Sequence, residues 1–96
     1  MNILIKEVQI VPIKPNSGLV GFASCVINEC LYLGSIGIFT RLDGSYRLVY
    51  PTKKIGEKNI NIFYPITREL GRQLEQVIIS KFEEVMNHDR HSSIST

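Results

Sequence analysis

Apolar residues recur at three- and four-residue steps through Leu70, Leu74, Val77, Ile78, Phe82 and Val85. On a 3.6-residue turn they gather into one stripe, which predicts a long amphipathic helix. Thr67 stands where an N-cap hydroxyl accepts from an orphan amide, and Glu69 places a negative charge beside the positive helix end. Leu70 occupies the position that a capping box gives to Glu or Gln. The opposite face carries Arg68, Arg72, Gln73, Glu75, Gln76, Ser80, Glu83 and Glu84, a solvated surface on which Arg72 has Glu75 and Gln76 within reach. Lys81 falls inside the stripe by spacing, and its long stem carries the ammonium past the core.

Ahead of the helix the pattern is that of strands. Residues 3–12 are rich in branched side chains, alternate in part and end at Pro12. Lys14-Pro15-Asn16-Ser17-Gly18 reads as a turn, and residues 19–27 as a second strand. In that strand Leu19, Gly21, Ala23, Cys25 and Ile27 share a face of mostly small residues, so another element packs close there. Asn28-Glu29 is a hairpin turn without the glycine that favours one. Residues 30–39 form a third strand, interrupted by Gly34 and Gly37, which signal a bulge or a bend. Asp43-Gly44 makes a turn before a fourth strand over 46–50. Pro51 and Pro65 lack amide hydrogens and push the tyrosines before them toward extended backbone, so each marks a strand end. Between them, 52–58 reads as a polar loop and 59–64 as a fifth strand, with Ile60, Ile62 and Tyr64 on one face.

These elements predict one α+β domain over residues 1–87: a small antiparallel sheet of about five strands with one long C-terminal helix. Residues 88–96 form a polar tail that is expected to fray. Strands two, three and four are apolar on both faces, while a single helix shields one. The second face or an exposed edge is therefore expected to meet a second copy, and a symmetric homodimer is the simplest closed arrangement. The alternative is a sheet curled over its own inner face. A chain of 96 residues buries a modest fraction of its surface, so an interface would add useful apolar burial.

Composition narrows the function classes. An apolar fraction of 44% with 21% charged residues argues against global disorder. A net charge of +2 is weakly basic, so any preference for nucleic acid must come from local clusters. No apolar run approaches the roughly 20 residues that span a bilayer, and the N-terminus lacks a signal peptide's basic start, which places the protein in the cytoplasm with no membrane partner. Cys25 and Cys30 are too few for a zinc site and, across an Asn28-Glu29 turn, would lie diagonally on one sheet face as free thiols. The histidines, His88 and His91, fall in the polar tail, where no catalytic geometry is held and a helical extension would offer at most two metal ligands. Gly34, Gly37, Gly44 and Gly56 do not make a phosphate-loop fingerprint. No enzyme, cofactor, metal or small-molecule substrate is expected. Tyr32, Tyr46, Tyr50 and Tyr64 stack on bases if exposed and pack as half-buried strand residues if not.

Two basic clusters remain. Lys53 and Lys54, with Lys58 closing their loop, are placed to neutralise phosphates, and Arg68 and Arg72 lie one turn apart at the helix start, where the dipole also favours an anion. The bland readings are a soluble loop for the lysines and pairing with Glu69 or Glu75 for the arginines. If strands four and five form a hairpin, its lysine tip lies opposite the helix start. Only a partner subunit would then merge the two clusters.

Tyr50-Pro51-Thr52-Lys53-Lys54, the polar tip, and Tyr64-Pro65-Ile66 before a helix with Phe82 near its end together resemble the SpoVG family, the stage V sporulation protein G or septation regulators of bacteria. Glu7-Val8-Gln9-Ile10, Ala23-Ser24 and Ser35-Ile36-Gly37-Ile38 agree, so the resemblance runs from about residue 7 to 82. It implies small cytosolic dimers with an antiparallel sheet and a C-terminal helix that bind DNA and RNA to regulate gene expression. By position, Lys53 and Lys54 match the family's basic pair, and Arg72 falls in its basic stretch at the helix start, with Arg68 one turn before. The chain departs from that pattern at Gly71 and Gln73, neutral where the family usually has further basic residues, and at the tip Ile55-Gly56-Glu57, which carries an acid and an apolar residue. Both departures weaken phosphate attraction. The alternative is a protein-interaction or assembly module that recruits a partner on an exposed sheet edge without nucleic acid.

Overall fold

The computed structural model describes residues 2–95, with side chains over 2–87. Its elements are β1 (Ile5–Asn16), β2 (Leu19–Ile27), β3 (Leu31–Thr40), β4 (Tyr46–Val49), β5 (Thr52–Ile55), β6 (Lys58–Asn61) and α1 (Arg68–Ser95). The first four strands make one antiparallel sheet in chain order, and β5 and β6 pair only with each other. The α+β architecture with a single long C-terminal helix is as the sequence pattern predicts. The strand count differs.

The expected loop over 52–58 is the first limb of a hairpin, and the expected fifth strand is its second limb, ending at Asn61 rather than Tyr64. Gly56 turns the chain at a positive φ of 63°, a conformation glycine takes without steric penalty. Pro51 explains why the hairpin leaves the main sheet: it has no amide hydrogen to continue the ladder from β4. Its carbonyl instead accepts from the Ile62 amide at 3.0 Å and so closes the base of the ribbon.

α1 covers one face of the four-stranded sheet. Leu74, Ile78 and Phe82 bury their side chains against Ala23 and Cys25 of β2 and Ile36 and Ile38 of β3. From Gly21 to Ile27 the small-residue face expected on β2 is the face the helix meets, whereas the shift after Leu19 puts Val20 rather than Leu19 against the core. A Cβ at Gly21 would stand 3.3 Å from the Phe82 ring and 3.1 Å from the Val11 carbonyl oxygen, so glycine there sets how closely the helix approaches. Phe82 also meets Tyr46 edge to face at 5.0 Å between centroids. The Thr67 hydroxyl accepts from the Leu70 amide at 3.2 Å, which makes it the N-cap that its position predicts. Lys81, half-buried, turns its ammonium to Glu84 at 3.5 Å.

Of the four register shifts in the sheet, the three that insert a single residue keep apolar residues on the helix side. In β1 the pairing steps from Lys6–Val26 to Gln9–Ser24, with Glu7 at φ 50°. In β3 it steps from Leu33–Cys25 to Ile36–Ala23, with Ser35 at φ 60°. A third lies between Leu19 and Gly21 of β2. Each extra residue flips the parity of the strand beyond it, so Ile5 is joined in the core by Val8 and Ile10, and Leu33 by Ile36 and Ile38.

Two local expectations change. β1 continues through Pro12 to Asn16 because it is an edge strand, paired on one side only, where prolines are tolerated. The thiols do not share a sheet face: Cys25 is buried in β2, whereas Cys30 is exposed in the turn, since β3 starts at Leu31 opposite Ile27. Both are free, and burial pushes the Cys25 thiol pKa up. The tail expected to fray over 88–96 lies outside the residues whose side chains are described.

Gly21→Val should destabilise the fold by roughly 1–3 kcal/mol, because its methyls enter the volume of the Phe82 ring. Combining it with Phe82→Leu should cost less than the sum of the two single changes. Urea denaturation of the four proteins checks this, and strict additivity would show that the two residues do not share the space.

Candidate nucleic-acid interface

Every residue from Thr52 to Asn61 is exposed, so the β5–β6 ribbon projects from the body with both faces free. Opposed residues of an antiparallel pair project to the same side. The register Thr52–Asn61, Lys53–Ile60, Lys54–Asn59 and Ile55–Lys58 therefore sorts the ribbon into two unlike faces. One carries Lys53, Ile55, Lys58 and Ile60. The other carries Thr52, Lys54, Asn59 and Asn61. Lys53 and Lys54, adjacent in sequence, point in opposite directions.

The ribbon is held at its base. Tyr50, just past β4, packs edge to face on Phe63 at 6.2 Å, so the chain entering the ribbon grips the chain leaving it. Tyr50 lies at the edge of the core, and its hydroxyl is buried without a hydrogen-bond partner. Burial, the nearby Glu75 charge and Cys25 push its pKa up to about 12.

Arg68 and Arg72 lie on the exposed first turns of α1, around a shallow depression shared with Glu69, Gln73 and Gln76. Among the described residues the ion pairs are Lys6–Glu29 and Lys81–Glu84. Neither arginine is therefore held by Glu69 or Glu75, and none of the three ribbon lysines is paired. Gln73 is engaged: its side-chain amide donates to the Ile3 carbonyl at 2.6 Å and ties the start of the chain to the helix. The depression takes no residue from the ribbon, so one subunit does not bring the lysine and arginine clusters into a common pocket.

The sheet face away from α1 is open and apolar. Val11, Phe22 and Tyr32 are 60%, 39% and 69% exposed. The Arg47 guanidinium lies over the Phe39 ring at 5.4 Å to the centroid, a contact that strand parity alone does not reveal. His88 and His91 lie outside the residues whose side chains are described. Among the described residues no cluster of acidic, histidine or cysteine side chains is disposed to hold a metal, and no helix is long and apolar enough to cross a membrane.

The model of the SpoVG family matches residues 1–84, which take in the whole of the sheet, the ribbon and the helix as far as Phe82 and just beyond. The chain belongs to the SpoVG family. No curated protein compared with the chain matches it. Membership points to a regulator related to sporulation or septation. What sequence reasoning missed in this SpoVG chain is that Thr52, Asn59 and Asn61 share one ribbon face with Lys54. The signal was present in the Gly56-Glu57 dipeptide and the alternation after it, which read as a hairpin once 52–55 is allowed to be a strand.

Tyr50→Phe should leave the fold intact and raise its stability, since it removes a buried hydroxyl that has no partner. The wild type should also lose stability as pH rises from about 10 to 12, because the folded state holds the phenol proton more tightly than the unfolded one does. The advantage of the variant should widen over that window in chemical denaturation. A constant difference would place the hydroxyl in contact with solvent.

Proposed function

We propose that this protein is a cytoplasmic, homodimeric regulator of bacterial gene expression that binds DNA or RNA through its phosphate backbone, using Lys53, Lys54, Arg68 and Arg72. The observation that carries this reading is the ribbon itself: a fully exposed pair of strands with Lys53, Lys54 and Lys58 unpaired, in a chain of the SpoVG family. An isolated two-stranded ribbon is marginally stable in water, so it is suited to lie against a ligand. Unpaired ammonium and guanidinium groups attract phosphates and release their counterions on contact.

The dimer is part of the mechanism, because one subunit keeps its two basic clusters apart. A second copy on the open sheet face would cover Val11, Phe22 and Tyr32 and set two ribbons and two helix starts on one assembly. The same exposed apolar face favours a second reading, in which the protein is an interaction or assembly module and its lysines are only solvated.

Binding measured by fluorescence anisotropy against DNA and RNA pools across a salt series separates the two readings. Contacts from all four cations of both subunits give a log–log slope of about −7, and about −5 if the alternation of the ribbon keeps one lysine per subunit away from phosphate. Lys53→Glu with Lys54→Glu should abolish retention. A slope near zero, or retention untouched by the charge reversal, would favour the assembly module. Phe22→Glu should convert the dimer to a folded monomer in analytical ultracentrifugation and weaken binding with it. A wild type that stays monomeric well above micromolar concentration would remove the dimer from the mechanism.

A further inference from the structure

We infer that the polar face of the β5–β6 ribbon, formed by Thr52, Lys54, Asn59 and Asn61, reads base edges in the major groove of B-form DNA. This rests on the nucleic-acid reading above and adds to it a site, a form of nucleic acid and a source of sequence preference. Backbone contacts fix affinity and register but carry no direct sequence information.

The shape of the ribbon is the first argument. Two strands about 5 Å apart with their side chains fit a groove about 12 Å wide, which admits a two-stranded ribbon as well as a helix. Four paired rungs rise about 10 Å from first to last, comparable to three or four base pairs at about 3.4 Å each. The neighbouring elements leave the ribbon free, since all its residues from Thr52 to Asn61 are exposed.

The face chemistry is the second. Asparagine presents a donor and an acceptor that match adenine N6 and N7, lysine donates to guanine O6 and N7, and the threonine methyl meets the thymine methyl. Asn59 and Asn61 lie on one limb, Thr52 and Lys54 on the other, all on the same side. The reverse side carries Ile55 and Ile60, which offer nothing to base edges. Lys53 and Lys58 share that reverse side and reach the groove walls rather than its floor. Glu57, beside Gly56 at the tip, is the one acid on the ribbon and repels phosphate there.

One further observation and one property of RNA select duplex DNA. The ribbon holds no aromatic residue between Thr52 and Asn61, so it offers no platform on which unstacked single-strand bases would stack. A-form RNA has a major groove too deep and narrow for side chains to read.

The test begins with selection of duplexes from a randomised DNA pool by the full-length protein. The enriched duplex, a scrambled duplex of the same composition, the enriched sequence as an RNA duplex and its single strands are then compared. The wild type should prefer the enriched DNA duplex over the other three. Asn59→Ala with Asn61→Ala should reduce discrimination against the scrambled duplex about ten-fold or more while leaving the salt slope unchanged. Lys53→Gln with Lys58→Gln should flatten the slope and leave discrimination in place. All four positions are exposed, and circular dichroism of each variant confirms an unchanged fold. Nucleic acid retained with discrimination untouched by the asparagine changes, or equal binding of the RNA duplex or the single strands, overturns the inference while leaving phosphate binding standing. Retention of no nucleic acid even at low salt overturns both.

Discussion

The packing of α1 side chains onto one face of the four-stranded sheet is the contact on which the other features depend. Leu74, Ile78 and Phe82 are fully buried, and each such side chain stabilises the fold by about 1.5–3 kcal/mol. Together they amount to about the whole stability of an ordinary small domain, so the helix cannot leave the sheet without unfolding it. The approach is possible because Gly21, Ala23 and Cys25 present little bulk on the facing strand. The register shifts in β1, β2 and β3 arise from the same requirement. Without them half of the branched residues in β1 and β3 would turn to the open side.

That seating also fixes what is left uncovered. A single helix lies over one side of the sheet, so Val11, Phe22 and Tyr32 remain in solvent on the other, with Arg47 partly capping Phe39. The ribbon escapes the core for a different reason: Pro51 ends the ladder after β4, and the next strands have only each other to bond. Its order then depends on a short hinge, the Ile62–Pro51 hydrogen bond and the Tyr50–Phe63 contact. The molecule therefore divides into a body set by apolar packing and an arm set by backbone pairing.

Features governed by local periodicity are legible in the sequence. The helix stripe, the Thr67 cap, the small-residue face of β2 and the bulge at Gly34 each arise within a few residues, so pattern reading finds them. The ribbon is not visible in the same way. Residues 52–58 have no apolar run, and a strand with two solvated faces leaves almost no hydrophobic signature. Where the lysines lie in the chain is plain from composition, but which way each points depends on pairing across Gly56. The Tyr50 hydroxyl and the Gln73–Ile3 bond join residues distant in sequence, beyond what spacing can show.

The two neutral residues at the helix start have unlike structural causes, and the difference bears on where the protein attracts phosphate. Gln73 is already occupied, because its side-chain amide donates to the Ile3 carbonyl, and a cation there would be drawn to the same acceptor rather than to phosphate. Gly71 holds no such contact, and a Cβ at this position would meet only Pro65 at an ordinary 3.7 Å. Glycine also weakens a helix interior by about 1 kcal/mol relative to alanine. A longer or charged side chain at Gly71 would thus be accommodated and left free, while a donor at position 73 has the Ile3 carbonyl beside it. With Arg68 and Arg72 the only cations on these first turns, the ribbon holds the denser positive charge, and its three lysines sit on backbone that the core does not constrain.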